Sequence, residues 1–219
     1  MKIRIISVIT LLLTITVLII GNLENKKTEI KEVKIIKEDI TYEKEIIEQI
    51  NPIELCISNM QLEISAINHI NDKETWFREY KKVVEKYSDI IAPPKTIYDY
   101  FSDEELDLLF RVVQAEIGDE YTFEQKVNVA NVIFNRLYSN KDDFAKQDTL
   151  SKVLVKKQFS TIKNERYKKV EVSDITILAC EYAFEIEDTT NGALFFDNNG
   201  ILGNYYKEVF YDGAHYFYK

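Results

Sequence analysis

Cysteine and histidine are both scarce, with two of each in 219 residues, and that scarcity rules out several kinds of chemistry. Cys56 and Cys180 build no disulfide framework and show no metal-ligand spacing. They read as two buried thiols, with a single bridge between them as the alternative outside the cell. His69 and His215 are too few for a histidine-based zinc site. Positive charge is short as well: the formal net charge of -9 argues against a general nucleic-acid binder. Apolar residues are not short. At 46% of the chain they allow one ordinary domain with a real core, plus appendages.

The chain opens Met1-Lys-Ile-Arg, and Ile5 to Ile20 is then almost purely apolar. No small-x-small cleavage site and no lipobox cysteine follow, so residues 1–21 are expected to form an uncleaved signal-anchor, with a cleaved signal peptide as the alternative. With its flanks the run falls within the roughly 17–25 residues of a membrane span. Lys2 and Arg4 favour a cytoplasmic N-terminus and an exported remainder. Residues 22–95 read as a charged, largely helical stalk. Asn22 to Gln49 is dense in Glu, Lys and Ile, with neither Gly nor Pro. A new helical zone is expected after Asn51-Pro52 and another from Asp72 to Ile91. In the latter Trp76, Phe77, Tyr80, Val83, Val84 and Tyr87 recur at helical spacing, a pattern of packing that also suits sugar recognition. Ala92-Pro93-Pro94 breaks the chain there.

The most informative stretch follows. Ser102 and Glu105 have capping-box spacing ahead of an apolar run. On a helical wheel Leu106, Leu109, Val112, Val113 and Ala115 share one arc, while Glu104, Asp107, Arg111 and Gln114 share the opposite, solvated one. Glu116 falls within the apolar arc, and Gly118 marks the helix end. A carboxylate aimed at a core must be paired, open to a cleft, or partly protonated by desolvation; the last condition suits a general acid. The plainer reading is a helix-end Glu that escapes into solvent. Periodicity alone leaves both open.

A second capping box, Thr122 to Gln125, starts a helix expected to reach Tyr138, with Val127, Ala130, Phe134 and Leu137 as its seam. Asn128, Asn131 and Asn135 line up beside that seam, as sugar contacts or as a solvated flank. A short helix is expected from Asp148 to Lys157. The basic run Lys152 to Lys169 would suit an anionic polymer or simply a solvated loop. Ser173-Asp174 caps a helix to about Glu187. Cys180 sits in mid-helix, away from the N-terminus that would activate a thiol, so it makes a poor peptidase nucleophile with His215. Three short strands follow, at Ala193–Asp197, Tyr205–Phe210 and His215–Tyr218, with turns at Asn198-Asn-Gly200 and Asp212-Gly213. The fold class is α+β: helices first, then a small antiparallel sheet.

Residues 101–219 resemble the SleB/CwlJ-type cell wall hydrolases, the spore cortex-lytic group. The likeness runs through Ala115-Glu116-Ile-Gly118-Asp-Glu120, then Asn135-Arg136, Gln158-Phe159-Ser160, Thr190-Asn-Gly192 to Asn198, and Asp212-Gly-Ala-His215-Tyr-Phe217. The chain departs from the family pattern after Glu116, where Ile-Gly-Asp-Glu-Tyr-Thr stands for Ala-Arg-Gly-Glu-Pro-Tyr. The resemblance implies a lysozyme-like helical catalytic domain that cleaves the N-acetylmuramic acid–N-acetylglucosamine bond of peptidoglycan as a lytic transglycosylase. It implies Glu116 as the catalytic acid and no metal or organic cofactor. Glu120 is a second carboxylate for a hydrolytic route, or a solvated turn residue. Phe159, Ser160, Asn198 and His215 are expected to bind substrate along the sugar groove; a packing role suits Phe159 and His215 equally. The expected partners are glycan strands, and the membrane through residues 1–21. Rival readings are a non-catalytic wall-binding protein of the same fold and a tethered partner in secretion or conjugation.

Overall fold

The computed structural model describes residues 39–219, apart from residues 142 and 156. The expected membrane segment and the first part of the stalk lie outside the described residues. Among the described residues no helix is long and apolar enough to cross a membrane. Contacts divide the chain into two compact units, one ending at Pro94 and the other comprising Lys95–Lys219.

In the first unit, helix α1 (Asp39–Ile67) packs on α2 (Lys73–Tyr87). Pro52 lies inside α1 instead of dividing it, which corrects the expected break. A proline's fixed φ is compatible with helix, and its missing N–H costs a hydrogen bond without requiring a stop. Asp72 caps α2 by accepting from the Thr75 N–H at 2.8 Å. Met60 of α1 meets Val83 and Tyr87 of α2 in a small core, with Cys56 and Ile64 packed around it. Tyr87 Oη and Lys86 Nζ both donate to Glu63, at 2.8 and 2.6 Å.

The second unit is helical first and stranded last, a helix-rich α+β fold. Its main helices are α3 (Asp103–Glu116), α4 (Phe123–Leu137) and α7 (Asp174–Glu185), with short α5 (Leu150–Val153) and α6 (Ser160–Lys163) between them. Both expected capping boxes form, Ser102 with Glu105 and Thr122 with Gln125. Each satisfies two N–H groups that a helix start leaves unpaired. Helix α4 is the centre. Val127, Val129, Ala130, Val132, Ile133 and Phe134 are all fully buried, and α7 packs along it. Phe101, Phe134 and Phe184 meet ring to ring at 5.3–6.2 Å, and Phe123 meets Tyr182 edge-on at 5.6 Å.

Two expectations for these helices are corrected. Gln114 is not on a solvated face: at 5% exposure it lies buried, accepting from Ser173 and Thr176. The asparagines of α4 are neither a solvated flank nor open to ligand. Asn128 donates to Asp212 at 2.9 Å and accepts from Thr189 at 2.6 Å. Asn131, with its amide turned to satisfy its neighbours, donates to Ala183 O at 3.2 Å and accepts from Thr189. Asn135 donates to Thr190 Oγ1 at 3.0 Å and Ala193 O at 3.1 Å. This ladder ties α4 to the segment that leads into the sheet. A hydrophobicity wheel does not see it, because it scores asparagine as polar wherever its partner lies.

The sheet has three strands, β1 (Phe195–Asp197), β2 (Glu208–Tyr211) and β3 (Tyr216–Tyr218), in the order β1-β3-β2 and antiparallel throughout. The strands are shorter than the sequence pattern suggests. The Asn191-Gly192 turn before β1 has φ of 57° and 79°, the left-handed region where asparagine and glycine are tolerated. Asp188 closes it by accepting from Thr190 and Gly192 N–H groups. Phe217 at the sheet centre is fully buried with Val132 and Ala193, flanked by Phe196 and Phe210. Asn135→Ala removes a half-buried donor from three acceptors, Asp188, Thr190 and Ala193. It should destabilise the protein by about 1–3 kcal/mol in urea unfolding, and an unchanged midpoint would show the ladder carries little stability.

Candidate active site

Glu116 ends α3, and the chain turns at once. Ile117 is extended (φ −138°, ψ 105°), so the helix stops one residue before the expected glycine. What holds this turn is Lys126, from the first turns of α4. Its side chain is fully buried, and Nζ donates to Ile117 O (3.1 Å), Gly118 O (2.8 Å) and Thr176 Oγ1 (3.0 Å). An ammonium has three donors, and all three are used. Thr176 Oγ1 donates in turn to Gln114 Oε1 at 2.6 Å, and Gln114 Nε2 donates to Asp119 at 2.9 Å. Burial pulls the Lys126 pKa down, against the pull of Asp119 at 3.6 Å. Gln114, then Ser173 and Lys126, hold the Asp119 carboxyl below its usual value.

The Glu116 side chain is half-buried and lines a cleft of about 610 Å³. Thr161, in α6, donates to Glu116 Oε1 through its hydroxyl at 2.5 Å and its N–H at 3.3 Å. Among the described residues Oε2 makes no hydrogen bond. One carboxylate oxygen is therefore anchored and the other is free for chemistry. Arg166 crosses from the loop after α6 and donates to Ala115 O, the carbonyl next to Glu116.

Glu116, Glu120, Ser160, Asn198 and His215 all line this one cleft, together with Tyr121, Phe196 and Asp197. Phe159 does not. It is buried, with the Arg136 guanidinium 4.8 Å from its ring, and it borders a neighbouring recess. Phe144, Phe159 and Phe195 surround that guanidinium, and Arg136 Nε donates to Leu194 O at 2.6 Å. Burial lowers the Arg136 pKa to about 10, opposed by the charge of Glu116, so it stays cationic at neutral pH.

The other acidic groups are not equivalent to Glu116. Asp197 accepts from Gly200 N–H, Leu202 N–H and Tyr218 Oη, so its lone pairs are committed to folding the 201–204 turn. Glu120 is exposed, makes no hydrogen bond among the described residues, and lies against Gly118 where a side chain would collide with it. His215 is placed by Asp212, which accepts from the Ala214 and His215 N–H groups and is itself held by Asn128 and Gln125 of α4. The imidazole meets Phe196 edge-on at 5.3 Å, and its Nδ1 is buried with no hydrogen bond to protein. Burial pushes its pKa below the ordinary 6.5, outweighing Asp212, Glu116 and Asp197. Cys180 is fully buried and free, its thiol pKa driven up by desolvation. Among the described residues no group of three or more His, Cys, Asp or Glu is arranged to hold a metal ion.

Thr161, Lys126, Arg166 and Asp197 were not singled out as site residues from sequence. Thr161 follows Gln158-Phe159-Ser160 directly, but nothing in a four-residue helix signals which side chain turns inward.

A half-buried carboxylate with one oxygen free in an open polar cleft is placed for general acid–base chemistry. Residues 121–218 match the family model described as Cell Wall Hydrolase. The match begins at Tyr121, within the segment where the chain departs from the family pattern, so Glu116 lies upstream of it. Among solved structures, the chain is similar to the catalytic domain of the germination-specific lytic transglycosylase SleB from Bacillus anthracis. That likeness has 20% identity and a TM-score of 0.49, over 56% of this chain and 100% of that one. It is also similar to the catalytic domain of the Bacillus cereus SleB protein, at 21% identity and a TM-score of 0.47, over 54% of this chain and 92% of that one. No curated protein matches the chain.

Because the folded state lowers the His215 pKa, the unfolded state binds more protons as pH falls through 6.5, and stability drops there. Thermal melts at pH 7.5 and pH 5 should show a larger loss for the native chain than for His215→Asn. Equal losses would mean that His215 does not contribute to acid sensitivity.

Proposed function

We propose that the chain is a peptidoglycan-cleaving enzyme acting on the N-acetylmuramic acid–N-acetylglucosamine bond, with Glu116 as general acid and then base. The observation that carries this reading is the split state of the Glu116 carboxylate, Oε1 anchored by Thr161 and Oε2 unbonded in the cleft. Protonated, Glu116 gives its proton to the glycosidic oxygen as the C1–O bond breaks. Ionised, it takes the proton of the muramyl 6-hydroxyl as that oxygen attacks C1. The result is a 1,6-anhydro end, and the enzyme returns to its starting protonation state. A single carboxylate suffices for this lytic transglycosylase route, whereas hydrolysis by the usual route needs two. Burial keeps the nearby imidazole of His215 neutral at neutral pH, so it adds no positive charge beside the developing oxocarbenium.

Glu120 favours a second reading. It lines the same cleft with its carboxylate uncommitted, and it could activate a water for hydrolysis. The apolar run after Met1 supports export and anchoring in the membrane, with the C-terminal unit on the extracytoplasmic side.

The full chain should release muropeptides with anhydro ends from purified peptidoglycan, identified by mass. Glu116→Gln should lower the rate by about 10²–10⁴-fold, the range of general acid–base catalysis. No release from the native chain would sink the enzyme reading, and release surviving Glu116→Gln would sink the assignment of Glu116. Reducing ends that disappear in Glu120→Gln would instead establish hydrolysis.

A further inference from the structure

Helix α6 has four residues, too few to hold itself, and no side chain caps its start. It is fixed from outside. Phe159, the residue before it, is buried with the Arg136 guanidinium 4.8 Å from its ring. Phe159 O accepts from the Ile162 and Lys163 N–H groups, both at 3.2 Å. Arg136 is itself tied to Leu194 O at 2.6 Å. Thr161 and Ile162 are buried, and α6 packs against α3. Thr161 therefore meets Glu116 from a backbone that the core holds still, with its hydroxyl shielded from water. Its two donors differ in kind. A hydroxyl can turn and accept, but a backbone N–H can only donate. The Thr161 N–H lies 3.3 Å from Glu116 Oε1 and needs an acceptor there whether the carboxyl is ionised or protonated. A proton on Oε1 would compete with that N–H, whereas Oε2 makes no hydrogen bond among the described residues.

We propose that Thr161 is a positioning residue that holds the Glu116 carboxylate so that one oxygen, Oε2, makes both proton transfers. The proposal rests on the peptidoglycan reading for its substrate. The proton leaves Oε2 for the glycosidic oxygen as the old C1–O bond breaks. It returns to Oε2 from the muramyl 6-hydroxyl as the new C1–O bond forms, so the carboxyl ends as it began. A carboxylate without an anchor turns about its last bond and presents either oxygen. Thr161 removes that freedom, so the group aimed as acid in the first step is already aimed as base in the second. The effect falls on the chemical step, because Thr161 bonds to Glu116 and is itself fully buried.

Two substitutions in the full chain separate this role from packing. Thr161→Val keeps the N–H and the shape of the side chain and loses only the hydroxyl. Thr161→Ser keeps the hydroxyl and loses a buried methyl. Thr161→Val should lower kcat for muropeptide release roughly ten- to a hundredfold and leave KM unchanged, since a misaimed acid still lets substrate bind. Thr161→Ser should recover most of the native kcat. Packing alone would predict the reverse order. Crystal structures of the native and Thr161→Val forms read the carboxylate without relying on turnover: it should hold one orientation in the native chain and turn, or take two, in Thr161→Val. A Thr161→Val form with native kcat, a loss confined to KM, a loss shared by Thr161→Ser, or a carboxylate equally ordered in both structures would each overturn the proposal. If the carboxylate loosens as expected while the native chain releases no muropeptides, the hold of Thr161 on Glu116 stands and the enzyme reading falls.

Discussion

The cleft depends on a buried ammonium. Lys126 carries a positive charge into the space between α4, α7 and the end of α3, where an unpaired ion costs several kcal/mol. The fold meets that cost with two carbonyls of the turn after Glu116 and one hydroxyl of α7. The same bonds fix where α3 must stop. A helix that continued past Glu116 would withdraw the Ile117 and Gly118 carbonyls from Nζ and leave the charge unsatisfied. The position of Glu116 at a helix end is thus set by a residue on another helix, within a closed circuit through Thr176, Gln114 and Asp119.

Around that turn, polar groups fall into two kinds. Asp188, Asp197 and Asp212 each accept two or more backbone N–H groups and close the turns that carry the sheet. Their lone pairs are occupied, so a place beside the cleft gives Asp197 no chemistry. Glu116 and Glu120 keep free oxygens. The difference lies in reach. An aspartate in a turn bonds its own following backbone, whereas the longer glutamate at a helix end extends away from it. Two buried basic groups complete the surroundings. Arg136 stays charged inside three phenylalanine rings, and His215 is driven toward its neutral form by burial.

Local signals in the sequence were enough for the starts of the main helices in the C-terminal unit. Ser102 with Glu105 and Thr122 with Gln125 start their helices as the spacing requires, because a capping box involves only residues three apart. Val127, Ala130 and Phe134 of the expected α4 seam are fully buried, as a 3.6-residue period requires, whereas Leu137 at the helix end is only half-buried. The α+β order follows from the change to short stretches of β-branched and aromatic residues between turn signals near the C-terminus. The exceptional position of Glu116 on α3 was also visible, since it is the charged residue that breaks an apolar arc.

Periodicity could not say what that glutamate meets. It allowed solvent, a paired or desolvated place in the core, or a cleft, and the fold selected the cleft edge, with one oxygen tied to Thr161, 45 residues away in the chain. Gln114 and the asparagines of α4 were misplaced for the same reason. A wheel scores each side chain by its own polarity, while burial of an amide depends on partners brought in from Ser173, Thr189 or Ala193. The strands proved shorter than their apolar runs because ladder pairing, not hydrophobicity, sets their ends. Residue order and spacing thus determined which elements form and which carboxylate stands out. Only tertiary structure decided which polar groups are used up in bonding and which are left free in the cleft, because those bonds join residues that no local pattern relates.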